Sequence, residues 1–186
     1  LKDLKLAKKK IKINMVIWII GKSGAGKTFF ANKINIFLSK KNIKVFWLDG
    51  DDFRKYISND LGYTIADRKE NSLRIIKFCK YLESKGYLVL CSFLSIFKKH
   101  QKNNKSIFKK YLQIFINVDQ KILIKRNNKN IYSKKKNIVG KDIKFIKPIS
   151  SDLIIRNNFK NYKSNLKYLI TKINEKIEKK HSYFKK

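Results

Sequence analysis

The chain has 186 residues, enough for one compact domain around a single hydrophobic core and too few for two. Its 46 Lys and Arg against 13 Asp and Glu give a formal charge of +33, yet apolar residues make up 43% and aromatics 13%, a globular content that excludes a disordered basic tail. The longest uninterrupted apolar run, Met15 to Ile20, is far too short to cross a bilayer, so no membrane partner is expected.

The first 14 residues carry neither the apolar core nor the small-residue cleavage pattern of a secretory signal, and are read as a basic extension or the remnant of a longer polypeptide. Met15 to Ile20 is the first predicted strand and runs into Gly21. Thr28 to about Lys40 places Phe30, Ile34, Phe37 and Leu38 at helical spacing, and Lys44 to Leu48 is a second short strand ending at Asp49. A long helix is predicted over Asp67 to Lys85, with Leu73, Ile76, Phe78, Cys79 and Leu82 on its buried side and Gly86 as its stop. Tyr87 to Cys91 has the near-continuous apolar character of a central parallel strand, and Gln113 to Val118 is the fourth strand. Lys121 to Arg126 reads as helical. The polar stretch Asn127 to Pro148, with Gly140 and the only Pro, is expected to be a mobile loop or lid. Asp152 to Ile155 is a fifth strand and Leu166 to about Lys179 a last helix.

This alternation predicts an α/β fold, a three-layer sandwich with a mostly parallel central sheet flanked by helices. The expected organisation is a basic extension over 1–14, a core domain over 15–158, and a C-terminal basic helix over 159–186 packed on the same domain. Cys79 and Cys91 lie in apolar surroundings without CxxC spacing, which argues against disulfides and zinc and favours a reducing, cytoplasmic setting. His100 and His181 stand isolated among lysines and read as surface residues rather than metal ligands or bases. The lysines spread from Lys2 to Lys186 in company with Asn and Ile, so the charge reads as a compositional bias. A basic nucleic-acid-binding module with an inactive loop is the competing class, but no RNA-binding motif or stacking pattern supports it, and nucleic acid is an unlikely partner.

The segment Gly21-Lys22-Ser23-Gly24-Ala25-Gly26-Lys27-Thr28 fits the Walker A pattern at every fixed position and follows a strand and opens a helix, as a P-loop NTPase-like fold requires. Successive amides of Gly21, Ser23, Gly24, Ala25 and Gly26 can then cradle a polyphosphate at a helix N-terminus. Lys27 is expected to reach the β and γ phosphates of ATP as co-substrate, and Thr28 to offer its hydroxyl to Mg²⁺. The second strand ends in Asp49-Gly50-Asp51-Asp52, whose carboxylates should face the same crevice, where they can hold Mg²⁺ or take a proton from an attacking hydroxyl.

With these residues the chain resembles the adenylylsulfate kinases, which phosphorylate the 3′-hydroxyl of adenylyl sulfate. The resemblance runs from about Met15 to Asn158 and rests on GKSGAGKT at 21–28, LDGDDFR at 48–54, DLGY at 60–63, ADRKEN at 66–71, SFLS at 92–95 and FINVD at 115–119, with Ile131-Tyr132 and Gly140-Lys141-Asp142-Ile143 further on. It implies Asp51 as the base for the acceptor hydroxyl and Asp49 near the metal. Arg54, Tyr63, Arg68, Asn71, Ser95 and Lys134 are implied as acceptor-binding residues, with Arg forks suited to phosphate or sulfate oxygens. Ser95 lies where family members carry a serine described as a phosphoserine intermediate; without an adjacent base, its hydroxyl is expected to serve as a substrate contact or a helix N-cap. The lid is shorter than the family's, and Ile138 stands where an aromatic is expected to stack on the acceptor's adenine. A related group of capsule-pathway kinases with altered lids, thought to act on cytidine diphosphoramidate, is similar too. Either way the implied partner is a small nucleotide, and a homodimer is left open.

Overall fold

The computed structural model describes residues 9–126, 136–148 and 150–178. Its strands are β1 (Met15–Ile20), β2 (Val45–Asp49), β3 (Leu88–Phe93), β4 (Tyr111–Asn117) and β5 (Leu153–Arg156). Among the described residues the helices are α1 (Lys27–Lys40), α2 (Gly50–Tyr56), α3 (Ile65–Ser84), α4 (Lys98–Ile107), α5 (Gln120–Arg126) and α6 (Tyr162–Glu178). The strands form one sheet in the order β2-β3-β1-β4-β5, and every neighbouring pair is parallel. Because β3 and β4 flank β1 on opposite sides, the topology reverses at β1, and a crevice opens at its carboxyl end.

The side-chain alternation of β1 shows why its sequence is apolar throughout. Met15, Ile17 and Ile19 enter a layer shared with Phe30, Ile34 and Leu38 of α1 and with Leu169, Ile173 and Ile177 of α6. Val16, Trp18 and Ile20 point the other way, against Phe53 of α2 and Ile75, Ile76, Cys79 and Leu82 of α3. A strand covered on both faces has no solvent side to mark with polar residues. The result is the expected α/β sandwich, with a sheet that is wholly parallel. Residues before β1 also pack: Ile11 forms a parallel bridge with Ile43, Ile13 is buried, and the Asn14 side chain donates to the Glu83 carbonyl at 2.6 Å.

Several local features differ from expectation. Helix α3 starts at Ile65 because Thr64 caps it: its hydroxyl accepts from the Asp67 amide at 3.1 Å while its own amide donates to Asp67 Oδ2 at 3.0 Å, a capping box. On that helix Ile75 is buried while Leu73 is only half-buried. Helices α2 and α4 have no counterpart in the sequence reading. The inward face of α4 carries His100, Gln101 and Asn104, so no apolar periodicity announces it. His100 is therefore no surface residue: it is buried, with Nδ1 2.9 Å from Ser72 Oγ. His181 lies outside the described residues. Cys79 and Cys91 are buried free thiols, and no helix is long and apolar enough to cross a membrane among the described residues.

Candidate active site

Residues 21–26 carry the chain from β1 into α1 at the reversal point of the sheet. The loop closes on itself through the Ala25 amide, which donates to the Lys22 carbonyl at 3.1 Å, and through Lys27 Nζ, which donates to the same oxygen at 3.0 Å. Gly26 caps α1 at φ +95°, a left-handed conformation that a side chain would strain, and its missing Cβ leaves room for Asn157 Nδ2. That amide donates to the Ala25 carbonyl at 3.1 Å and holds the loop from behind. The first turn of α1 holds no acidic residue, and Gly26 provides no side-chain cap, so the positive end of the helix dipole favours an anion here.

A cavity of about 1190 Å³ opens here, and Ser23, Gly24, Gly26, Lys27 and Thr28 form part of its wall. Gly21 and Ala25 lie buried beneath the loop. Asp49, at the end of β2, is tied on all sides: Oδ2 accepts from Thr28 Oγ1 at 3.0 Å and from Ser92 Oγ at 2.8 Å, while Oδ1 accepts from the Asp51 amide at 2.9 Å and so caps α2. Ser92 in turn accepts from Trp47 Nε1 at 3.2 Å. Asp51, one residue into α2, also lines the cavity. The sequence reading missed Ser92. It meets Asp49 because the two are register partners across β2 and β3, a pairing that motif spacing does not reveal.

Arg54, Tyr63 and Arg68 also line the cavity. Both guanidinium groups sit against the Tyr63 ring, at 4.8 Å for Arg54 and 5.4 Å for Arg68. Arg54 Nη1 donates to the Gly62 carbonyl at 2.5 Å; Arg68 donates from Nε to the Tyr63 carbonyl at 3.1 Å and from Nη2 to the Asn137 carbonyl at 2.8 Å. Among the described residues these bonds go to carbonyl oxygens, while the Thr64 hydrogen bonds and the charge of Arg54 together hold the Asp67 carboxyl below its usual pKa; both guanidinium groups line the cavity, where they can meet an anionic ligand. Burial and the neighbouring Arg54 pull the Arg68 guanidinium below its usual pKa.

Asn71 and Ser95 are fully buried and are not among the residues that line the cavity. The Asn71 amide has no hydrogen-bond partner at either end, whereas Ser95 offers its carbonyl to Gln101 Nε2 at 3.2 Å. Ser95 does not cap α4, whose N-cap is Phe97. Lys134, with Ile131 and Tyr132, lies outside the described residues. Ile138 is buried in the wall beside Val139. Arg126 stacks on Phe159 at 3.6 Å on the phosphate-loop side of the cavity, a pair 33 positions apart that no motif marked. No cluster of three or more His, Cys, Asp or Glu suited to a metal exists among the described residues.

A family profile described as Adenylylsulphate kinase matches residues 13–156. The chain belongs to the adenylylsulphate kinase family. It is 31% identical over 169 residues to an adenylyl-sulfate kinase of Prochlorococcus marinus, covering 87% of this chain and 84% of that one. It is also 33% identical over 151 residues to a cytidine diphosphoramidate kinase of Campylobacter jejuni, covering 78% and 88% respectively. Among solved structures it resembles the Mycobacterium tuberculosis APS kinase CysC in complex with AMPPNP and APS, with a TM-score of 0.76 at 25% identity over 83% of this chain and 95% of that chain. This kinase is thus a P-loop phosphotransferase acting on a hydroxyl group, on the wholly parallel sheet described above.

Proposed function

We propose that the kinase transfers the γ-phosphoryl group of ATP to the ribose 3′-hydroxyl of adenylyl sulfate, releasing ADP and the 3′-phosphorylated sulfonucleotide. The observation that carries this reading is that Asp49 and Asp51 line the same cavity as the phosphate loop and the Arg54–Arg68 pair. The loop amides and Lys27 bind the polyphosphate and offset charge on the γ-phosphoryl oxygens. Asp51 accepts the proton of the 3′-hydroxyl as its oxygen bonds to the γ-phosphorus, while the bond from that phosphorus to the β–γ bridging oxygen breaks and ADP leaves. Arg54 and Arg68 hold the acceptor's sulfate and phosphate oxygens, and Tyr63 packs beside them.

The residues present suit Mg²⁺. Thr28 and Asp49 offer hard oxygen donors, already 3.0 Å apart, beside Ser92, and Mg²⁺ is typically held by one or two protein oxygens plus substrate phosphates rather than by a full protein cage. When bound it would supply charge neutralisation at the β and γ phosphates. Support for adenylyl sulfate as acceptor comes from the adenylyl-sulfate kinase of Prochlorococcus and from the mycobacterial kinase complexed with AMPPNP and APS.

One observation favours a second acceptor. The wall position expected to hold an aromatic carries Ile138, an aliphatic side chain with no ring to stack on a base, and the chain resembles a cytidine diphosphoramidate kinase to a similar degree. ADP release with Mg-ATP and either adenylyl sulfate or cytidine diphosphoramidate decides between them. The main reading predicts the higher kcat/KM with adenylyl sulfate; a reversed preference replaces it with the second, and no acceptor-dependent ADP with either rejects both.

A further inference from the structure

Lys22 occupies the second position of the phosphate loop, but its side chain turns to α5 and is not among those lining the cavity. Its Nζ donates to Gln120 Oε1 at 2.6 Å and lies 5.7 Å from the Phe145 ring centroid, and Phe145 stacks on Phe115 of β4 at 6.0 Å. On this pair rests the turn 138–143. Gly140 (φ +96°) approaches so closely that a Cβ there would lie 3.2 Å from Gln120 Oε1 and 3.6 Å from Lys22 Cδ.

The turn is stiff in itself. The Ile138 carbonyl accepts from the amides of Lys141, Asp142 and Ile143 at 3.1, 2.8 and 3.0 Å, Gly140 donates back to the Ile143 carbonyl at 2.7 Å, and the Ile138 amide donates to Asp142 Oδ2 at 2.9 Å. A rigid turn needs only one anchor to fix where it sits. Its leading end supplies Ile138 and Val139 to the cavity wall together with the preceding Asn137, whose carbonyl receives Arg68 Nη2. Contacts therefore run without a gap from Lys22 through Gln120 and the turn to the arginine pair.

We propose that Lys22 is a positioning residue for the acceptor rather than a ligand of the donor phosphates: through Gln120 it fixes the 138–143 turn and with it the acceptor-side wall. The inference rests on the acceptor site proposed above. Burial lowers the Lys22 pKa, Asp119 raises it and Lys147 lowers it, and a bond from an ammonium to an amide oxygen in such a place is of the stronger kind.

The test uses Lys22→Ala, Gln120→Leu, the double variant and Lys22→Arg in the full chain. Lys22→Ala is expected to raise KM for the acceptor about tenfold while kcat falls less and the dissociation constant of a fluorescent ATP analogue, measured without acceptor, stays within about twofold. The double variant should be no worse than the worse single, and Lys22→Arg should recover most of the loss. Hydrogen exchange at the amides of Gly140, Asp142 and Ile143, read without any substrate, should speed up about tenfold in Lys22→Ala and not in Lys22→Arg. Unchanged exchange in the turn, additive single effects, or weakened ATP binding with an unaltered acceptor KM would each overturn the proposal. A parent enzyme inactive with both acceptors would instead strike at the proposed function, and the exchange data would still decide the role of Lys22.

Discussion

Replacing Gly50 by Ala probes the carboxylate cluster without touching a carboxylate. Gly50 sits between Asp49 and Asp51 at the start of α2, and an added Cβ would lie 2.8 Å from Phe93 Cδ2, 3.2 Å from the Ser92 carbonyl oxygen and 3.4 Å from Phe93 Cα. None of these can yield easily. The Phe93 ring packs edge-on against fully buried Trp18 at 6.3 Å, and Ser92 belongs to β3, paired with Asp49 of β2. Helix propensity alone favours Ala over Gly by about 1 kcal/mol, whereas overpacking a close contact costs about 1–3 kcal/mol. The steric cost wins by about 1 kcal/mol, for which a chain of this size loses about 2–4 °C in Tm. Relief requires α2 to back away from β3 by a few tenths of an ångström, carrying Asp49 off Ser92 and Thr28 and moving Asp51. Since a misplacement near 1 Å costs about a hundredfold, a shift of this smaller size should lower kcat about tenfold. Thermal unfolding and steady-state ADP release measure both effects. A variant with raised Tm and parental kcat would refute the packing argument and the placement of the carboxylates together.

Three further outcomes are expected. Lys27→Ala should abolish turnover while circular dichroism and Tm remain near the parent's, because the side chain serves the phosphates; retained activity would remove its role. Asp51→Asn should lower kcat by about a hundredfold or more with little change in ATP affinity, as expected for loss of a general base; comparable kcat in variant and parent argues against that assignment. His100 gives a pH signature. Burial first, then Lys69 and Lys99, hold its pKa below the usual 6.5, so the unfolded chain binds its proton more readily. Its contribution to stability is full above about pH 6.5 and is lost as pH falls through the depressed folded value. Urea unfolding of His100→Gln should show a shallower decline between pH 7 and 5 than the parent; identical slopes would mean that His100 does not titrate with folding.

How much of the molecule could be read in advance depended on what each segment buries. Strand β1 was legible to the residue because both its faces are covered and nothing polar interrupts it. Strand β3 runs on past Cys91 to Phe93, and the added Ser92 is polar because it bonds to Asp49, so the residue that serves the site also disguised the strand end. Helix α2 opens within the Asp49-Gly50 pair, which suits a turn equally well, and only the Asp49 side chain on the Asp51 amide marks it as a cap. The cap chemistry was there to be read. Helix α4 was beyond such reading, because its buried face is polar and satisfied by distant groups: Ser72 for His100, the Ser95 carbonyl for Gln101, Tyr111 for Asn104. Motif residues along one local segment, such as 21–28, were legible as a unit. The Arg126–Phe159 stack, the Asp49–Ser92 bond and the Lys22–Gln120 anchor join segments far apart in sequence, and only the folded chain brings them together.

The most direct test of phosphoryl transfer from the loop to a ribose hydroxyl is a ³¹P NMR record of the reaction of the parent enzyme with Mg-ATP and adenylyl sulfate. ADP and a new phosphomonoester at the 3′ position should appear in equal amounts. ATP hydrolysed to free phosphate with the sulfonucleotide unchanged, or a phosphate found at the 2′ position, would contradict it.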